Sequence, residues 1–419
     1  MNGNEKTVTS AEALLEASRE PGTERVLVSG LVNGASSIRL SRGQSLCGVD
    51  GGAEIAFRAG ADGIQLSADN TVRNLRLYAS TEKRAVFNDT TVATLGRIEL
   101  RDVTTTGRVQ ILARDKVRAG HVEVDGLDIV TADARRETER PHSYSVYVQQ
   151  GAFTLWNMQS SEDVIISADL VDISAGRNGA PARGSGIFVS GAGETGGRLL
   201  VHRLETGAVY CNGGIEPGTS DCISGGVFVV HGAAADLVRS RGPVTTYGAN
   251  DMVLDNWGMV DRWVAEEKIT SHGPSGIGFV NFGTINSLQV NAPIETFGQG
   301  ARGFNVYSGS VNSAEFERIV THADGAVGIQ ISQPVGQIKV SRGIETFGGT
   351  GKSLVKGVVV ELSAIALSVK SGGSARQIHI SGGAITHGNG VAPLELHGAI
   401  EALQVTESLA AAGGGFEVM

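Results

Sequence analysis

The chain has 419 residues, of which 41% are hydrophobic, 19% are charged and 59 are glycine. This composition is too apolar for a disordered chain, and its glycines do not recur with the period of collagen. The net charge of −9, without a segment rich in Lys or Arg, argues against nucleic acid as a partner, and the lack of a long uncharged apolar run argues against a membrane.

The start of the chain, Met1 to Thr7, has no apolar segment of the kind found in signal peptides, so we expect a cytoplasmic protein. The three cysteines are Cys47, Cys211 and Cys222, and we expect them to be reduced in that compartment. Cys211 and Cys222 would be able to close a loop in an exported protein. The sequence predicts no cofactor.

The first predicted element is a helix over residues 9–18. Thr9 and Glu12 have the spacing of a capping box, Leu14 belongs to an apolar side, and Pro21 follows as a stop signal. We expect this helix to cover one end of the fold, because open sheet ends invite aggregation.

After the helix, the sequence predicts a series of short apolar strands separated by Gly, Asn and Asp. The first of them are Val26–Leu31, Ser37–Leu40, Ala53–Phe57, Ile64–Leu66 and Val72–Leu77. Signals for two-residue hairpin turns are mostly missing, so these strands must pair with partners that are distant in sequence.

Three segments in the middle of the chain interrupt this pattern and are predicted to be loop insertions, at residues 131–143, 176–186 and 211–222. Insertions in repeat proteins gather on one side, where they wall a groove. Arg135, Arg136 and Arg183 lie in these segments, which therefore form a second-ranked candidate site.

A strand motif recurs at a fixed step of 25 residues, and a sixth copy follows after 40 residues. The copies are Val244–Gly248, Ile269–Gly273, Ile294–Gly298, Ile319–Ala323, Ile344–Gly348 and Ala384–Gly388. The same step aligns two further strands per repeat. Three short strands per turn, without a helix, predict an all-β fold, a right-handed parallel β-helix with about 25-residue coils. We expect one domain over residues 1–409 and a flexible end over 410–419.

The opening coils resemble those of pectin-lyase-like β-helix proteins. The resemblance rests on the segments Ser37–Gly48, Ala53–Phe57, Asp62–Leu66 and Asn70–Leu77. It implies an enzyme that cleaves, transfers or epimerises glycosidic units of a polysaccharide, although other members are phage tailspikes, adhesins and surface proteins. The paired aspartates of polygalacturonases are missing, so the resemblance implies an architecture and not a reaction.

Alternation along the strands predicts which side chains face outward. Ile294 and its equivalents face the core, and so does a hydroxyl stack that includes Thr296. Two aromatic ladders face out. The first is Tyr247, His272, Phe297, His322, Phe347 and His387, and the second is Trp257, Phe282 and Tyr307, with Asp255 and Asn305 exposed beside it.

These ladders are candidate surfaces for stacking sugar rings, since exposed apolar patches usually mark a binding surface. The predicted substrate-binding residues are Phe297, His272, Phe347, Asp255, Trp257, Tyr307 and Arg302. The other interpretation is that a second subunit covers the ladders, as in a homotrimer or another homo-oligomer.

Glu295 and Glu345 occupy one outward column two coils apart, with His322 between them. Their separation of about 9.6 Å is near that of the two carboxyl groups of inverting glycosidases. We therefore predict a carbohydrate-active enzyme with glycosidase-type acid and base at Glu295 and Glu345, tuned by His322. The alternatives are a lyase or epimerase acting on uronates and a non-catalytic scaffold. The histidines of the ladder are too far apart to share a metal ion, so no metal site is predicted.

Overall fold

A computed structural model describes residues 4–49, 51–140, 146–416 and 418. The helix is α1, Ala11–Arg19. The strands before the first insertion are β1 Asn4–Val8, β2 Thr23–Val28, β3 Leu31–Ala35, β4 Ile38–Arg39, β5 Ser45–Gly48, β6 Glu54–Phe57, β7 Ile64–Leu66, β8 Thr71–Tyr78, β9 Arg84–Asn88, β10 Thr94–Thr106, β11 Arg108–Ala113 and β12 Ala119–Thr131.

The strands of the middle region are β13 Thr138–Glu139, β14 Tyr147–Gln149, β15 Gly151–Asn157, β16 Ile165–Ala175, β17 Ala182–Arg183, β18 Ser185–Ser190, β19 Arg198–Asn212, β20 Cys222–Val229 and β21 Ala233–Ser240. The repeat region follows with β22 Val244–Thr246, β23 Asp251–Asn256, β24 Met259–Ala265, β25 Ile269–Ser271, β26 Ile277–Asn281, β27 Thr284–Val290, β28 Ile294–Thr296, β29 Arg302–Val306, β30 Ser310–Phe316, β31 Ile319–Thr321, β32 Val327–Ile331, β33 Pro334–Val340, β34 Ile344–Thr346, β35 Thr350–Val355, β36 Val358–Ser363, β37 Leu367–Val369, β38 Ser374–Ile380, β39 Ala384–Thr386, β40 Leu394–Leu396, β41 Ala399–Val405 and β42 Leu409–Ala411.

The strands of successive coils pair in parallel, as the repeat predicts. In one column Ile269 pairs with Ile294, Ile294 with Ile319 and Ile319 with Ile344. The 25-residue step therefore sets the register, because each residue lies beside its equivalent in the next coil. This confirms the predicted all-β parallel solenoid.

The core runs through the inside of the coils. The isoleucine column from Ile269 to Ile344 is buried, and so is the hydroxyl stack that contains Thr296 and Thr321. Thr321 donates a hydrogen bond from its hydroxyl to the carbonyl of Ala326 at 2.7 Å, which ties the strand to the bend that follows it. The inward columns of the first strand are confirmed.

Single residues with positive φ bend the long strands of the N-terminal half. Asn74, Asp102, Gly126 and Asp172 have φ of 55°, 50°, 76° and 54°. Each of them directly follows a residue that pairs with the equivalent residue of a neighbouring strand in the series β8, β10, β12 and β16. The bends of successive coils therefore lie beside one another, as the strands do. Asn, Asp and Gly tolerate this conformation best, which explains their presence at these positions.

Helix α1 covers the N-terminal end as expected, but it begins two residues later than predicted. Ser10, not Thr9, is the N-cap, and its hydroxyl accepts a hydrogen bond from the backbone N–H of Ala13 at 3.2 Å. Leu14 and Ala17 pack into the core. At the other end, the segment predicted to be flexible from residue 410 begins within β42, which pairs with β39.

A hairpin that the sequence analysis did not identify explains the 40-residue step between the last two repeats. Strands β35 and β36 pair antiparallel around a turn at Lys356 and Gly357, both with positive φ. The hairpin folds back over the outer face of the sheet that contains β26 and β29. There the Ser353 hydroxyl accepts a hydrogen bond from Arg302 at 2.8 Å, and the Leu354 N–H donates to the Ser275 hydroxyl at 3.1 Å.

Candidate functional site

The first aromatic ladder forms as predicted, directly after the strands β22, β25, β28, β31, β34 and β39. Its rings are parallel to within 11°, and their centroids are 4.4 to 5.4 Å apart. Phe297 and Phe347 remain 39% and 42% exposed. Because each inner ring has a neighbour on both faces, the ladder presents ring edges to solvent. A sugar ring stacks on an aromatic face, so this geometry does not provide the stacking platform that we expected from Phe297, His272 and Phe347.

Glu295 lies beside the ladder between the side chains of Lys268 and His322. Lys268 of the preceding coil forms an ion pair with it, and the His322 Nε2 of the following coil lies 2.8 Å from its Oε1. Partial burial raises the pKa of Glu295, but its hydrogen bonds with Lys268 and His322 lower it more, so the net shift is downward.

Glu345 has the same surroundings two coils further on. Arg318 forms an ion pair with it, and the His387 Nε2 lies 2.8 Å from its Oε1. Partial burial again raises the pKa of Glu345, but the hydrogen bonds with His387 and Arg318 lower it more, so the pKa is below its ordinary value. A general acid needs a raised pKa, and an acid–base pair needs two different environments. The pattern of cation, Glu and His fits a stabilising ladder better than an acid–base pair.

The second ladder corrects the prediction of an exposed surface. Asp255, Asn305 and Arg302 are fully buried, and Trp257 and Tyr307 are nearly so. These side chains do point away from the core, as alternation requires. The hairpin of β35 and β36 and the segment around Cys222 cover them, which the strand pattern does not reveal.

A groove of about 1020 Å³ lies over the outer face of β9 and β11. We call it the polar groove. Its charged and polar lining consists of Asp62, Glu82, Lys83, Arg84, Arg108, Gln110, Arg114, Asp133, Arg135, Arg136, Glu137, Glu139, Gln149 and Gln150. The insertion predicted at 131–143 forms one wall, up to Glu139, and Gly213 and Gly214 from the insertion at 211–222 contribute to another.

Buried polar side chains form the floor of the polar groove. Arg108 is only 6% exposed, and its Nη2 donates a hydrogen bond to the carbonyl of Glu82 at 3.1 Å. Its Nη1 lies 3.1 Å from a carboxylate oxygen of Glu137. Within the described part of the chain, Arg108 Nε and Gln149 Oε1 have no hydrogen-bond partner. Such groups are normally satisfied in a folded protein, so the floor is suited to binding a polar ligand.

Arginines hold the carboxylates of the groove walls in their charged form. Arg135 donates two hydrogen bonds to Asp133, at 3.0 and 2.6 Å, and they lower the pKa of Asp133 against the effect of burial. Burial raises the pKa of Asp62, but hydrogen bonds from Arg84 reverse the shift and lower it. Neither carboxyl group is therefore suited to donate a proton at neutral pH.

Arg135 and Arg136 indicate this region from the sequence alone, but the side chains of the groove floor carry no such signal. Arg108, Gln110, Gln149 and Gln150 lie on or beside strands β11 and β14, where alternation predicts outward side chains without indicating a cavity. The sequence does contain one signal for this cavity, which is the position of the arginine-rich insertion. Insertions in repeat proteins fold over the coils nearest to them.

No three His, Cys, Asp or Glu side chains within residues 4–49, 51–140, 146–416 and 418 are grouped closely enough to hold a metal ion. Cys211 and Cys222 are not joined by a disulfide bond. No helix of the described ranges has the length and apolar character that crossing a bilayer requires.

Comparisons with protein-family models, with curated proteins and with solved structures find no match to this chain. The resemblance to pectin-lyase-like proteins therefore stays a prediction.

Proposed function

We propose that the protein is a carbohydrate-active enzyme that binds an acidic oligosaccharide in the polar groove and cleaves it by β-elimination. The observation that carries this proposal is the buried Arg108 at the floor of a cavity of about 1020 Å³. A guanidinium group matches the planar carboxylate of a uronic acid, and the amides of Gln110, Gln149 and Gln150 are suited to sugar hydroxyls.

β-Elimination fits the charges of the groove better than hydrolysis does. In this reaction a base takes the proton on the carbon next to the sugar carboxylate, and the electron pair forms a carbon–carbon double bond. The glycosidic carbon–oxygen bond then breaks, and the departing oxygen takes up a proton. Arg108 would stabilise the charge that develops on the sugar carboxylate.

The candidate bases are Lys83 and Arg136. Both line the groove, and neither has a carboxylate of the described residues within ion-pair distance, unlike Arg84, Arg108 and Arg135. Hydrolysis would instead need a carboxylic acid that stays protonated, whereas the pKa values of Asp62 and Asp133 are lowered.

Incubation with uronic-acid oligosaccharides of several linkages tests this proposal. Elimination gives two fragments whose masses add up to that of the substrate, and one of them absorbs ultraviolet light because of its new double bond. Hydrolysis adds the mass of one water. We expect elimination products from the wild type and from Lys116→Gln, an exposed control outside the groove, and none from Arg108→Gln.

The two candidate bases are tested by Lys83→Gln and Arg136→Gln. The variant that removes the base should still bind the oligosaccharide but should not cleave it. If a folded wild-type protein neither binds nor cleaves any of these oligosaccharides, the proposed function is wrong.

A second candidate function is assembly through the first ladder. The exposed edges of Phe297 and Phe347 favour it, because large aromatic side chains are enriched in subunit interfaces. Light scattering of the wild type and of Phe297→Ser with Phe347→Ser tests it. An oligomer that dissociates in the double variant would support assembly, and a monomeric wild type would exclude it.

A further inference from the structure

A second cavity of about 380 Å³ lies beneath the hairpin of β35 and β36, and we call it the aromatic pocket. It shares no lining residue with the polar groove. Its wall is mainly apolar and includes Met252, Trp257, Ile277, Val280, Phe282 and Tyr307. A cavity of this size and lining is suited to a small organic molecule with an aromatic ring.

Asp255 lies in the wall of the aromatic pocket and is fully buried. The side chain of Trp257 is the one group that favours the charged form of Asp255, and neither carboxylate oxygen otherwise has a hydrogen-bond partner among the described residues. Burial raises the pKa of Asp255 well above its ordinary value, which favours the protonated form of the carboxyl group. A buried acid of this kind can donate a hydrogen bond to a ligand.

Buried polar side chains also occupy the outward column in the neighbouring coils. Asn305 and Gln330 stand in the same outward column as Asp255 and Val280, as the strand register shows. Both are buried, and Oδ1 and Nδ2 of Asn305 and Oε1 of Gln330 have no hydrogen-bond partner in the described part of the chain. The outer face of this sheet therefore holds buried polar groups that the described residues do not satisfy.

A lysine lines the edge of the aromatic pocket. Lys356 lines the pocket from the turn of the hairpin, and its ammonium group lies 5.4 Å from the ring centroid of Tyr307. No carboxylate of the described residues forms an ion pair with Lys356, so its charge is available to an anionic group of a ligand. The wall thus combines apolar side chains, a buried carboxyl group and an ammonium group.

We propose that the aromatic pocket binds a small aromatic acid. Its ring packs among Trp257, Phe282 and Tyr307, its carboxylate pairs with Lys356, and a hydroxyl or carbonyl group at the other end of the molecule accepts a hydrogen bond from Asp255. This site is separate from the polar groove, so it does not depend on the function proposed there.

The test is calorimetric titration of the full chain with 4-hydroxycinnamate, its methyl ester and cinnamate. The ester lacks the charge and cinnamate lacks the hydroxyl group, so each probe removes one of the two polar contacts. We expect 4-hydroxycinnamate to bind most tightly. Lys356→Gln should weaken its binding about fivefold, as for one exposed ion pair, and should leave the ester unaffected. Lys352→Gln, on the same hairpin, is the matched control and should change nothing.

Asp255→Val tests the inner contact. Valine already stands in this column at position 280, so the variant should fold. It should weaken binding of 4-hydroxycinnamate about tenfold, the effect of one hydrogen bond, and should leave binding of cinnamate unchanged. The proposal is wrong if 4-hydroxycinnamate does not bind the wild type at millimolar concentration. It is also wrong if each variant weakens all three probes equally, or if tyramine, an aromatic amine, binds more tightly than the acid.

Discussion

At the scale of single residues, Asp251 shows what burial does to a carboxyl group in this fold. It is fully buried, and its oxygens accept hydrogen bonds from the Ser224 hydroxyl at 2.6 Å and from the Gly248 N–H at 2.7 Å. Burial outweighs these hydrogen bonds and raises its pKa from 3.8 to about 6. The folded protein therefore binds this proton more tightly than the unfolded chain does.

This shift predicts a pH dependence of stability. The contribution of Asp251 is fully present below about pH 3.8 and is lost as the pH rises through about 6. At about 1.4 kcal/mol per pKa unit, the loss amounts to about 3 kcal/mol. Unfolding midpoints of the wild type and Asp251→Asn, measured from pH 4 to 7, should show this loss in the wild type only. Parallel curves for the two proteins would contradict the prediction.

Adjacent residues of β28 should respond in opposite ways to substitution. Ile294 is fully buried, so Ile294→Asp places a charge in the core without a partner and should prevent folding. Glu295 is paired at the surface, and Glu295→Gln should lower the free energy of unfolding by no more than about 1 kcal/mol. Circular dichroism of both variants checks this. A folded Ile294→Asp protein would overturn the assignment of inner and outer faces.

At the scale of an element, the first ladder acts as a continuous support along the coils. Phe297 stacks between His272 and His322 at centroid distances of 5.1 and 4.5 Å, while Glu295 pairs with the next coil through His322. Stacking and ion pairing thus link the same neighbouring coils. This is why we assign the ladder to stability and propose the polar groove, not the ladder, as the site of the chemistry.

The ladder predicts a measurable loss on truncation. Phe297→Ala removes two ring contacts and should lower the free energy of unfolding by about 1–2 kcal/mol. Phe416→Ala is the control, because Phe416 is 83% exposed and belongs to no ladder. Thermal unfolding of both variants provides the comparison, and equal midpoints would mean that the ladder does not stabilise the coils.

At the scale of the whole molecule, the 25-residue step makes the coils interchangeable in register. Deleting residues 273–297 joins His272 to Gly298 and removes one coil without changing which side chains face inward. Deleting 24 residues instead shifts all later strands by one position and exposes their core face. We expect the first deletion to fold, with lower stability, and the second to aggregate. Circular dichroism and gel filtration distinguish these outcomes.

The sequence predicted the solenoid because Ile294 and its equivalents recur at a constant step, and that step determines the pairing. It placed the helix cap at Thr9 rather than Ser10, since both residue types suit an N-cap. The prediction that Asp255 and Arg302 lie outside the core is correct, but the prediction that they are exposed to solvent is wrong. Alternation along a strand does not indicate whether an insertion folds over it. The 40-residue step left room for the hairpin of β35 and β36, but it indicated neither that a hairpin forms there nor which surface the hairpin covers.

The parallel pairing of equivalent residues, such as Ile294 with Ile319, has a mechanical consequence. The backbone hydrogen bonds between coils point along the axis of the solenoid, so a force that pulls the two ends of the chain apart loads the terminal coil first. We expect the protein to unwind under tension in steps, one coil after another. Each step would release about 85 Å of chain, the extended length of 25 residues, and a force–extension trace would show regular peaks instead of one rupture.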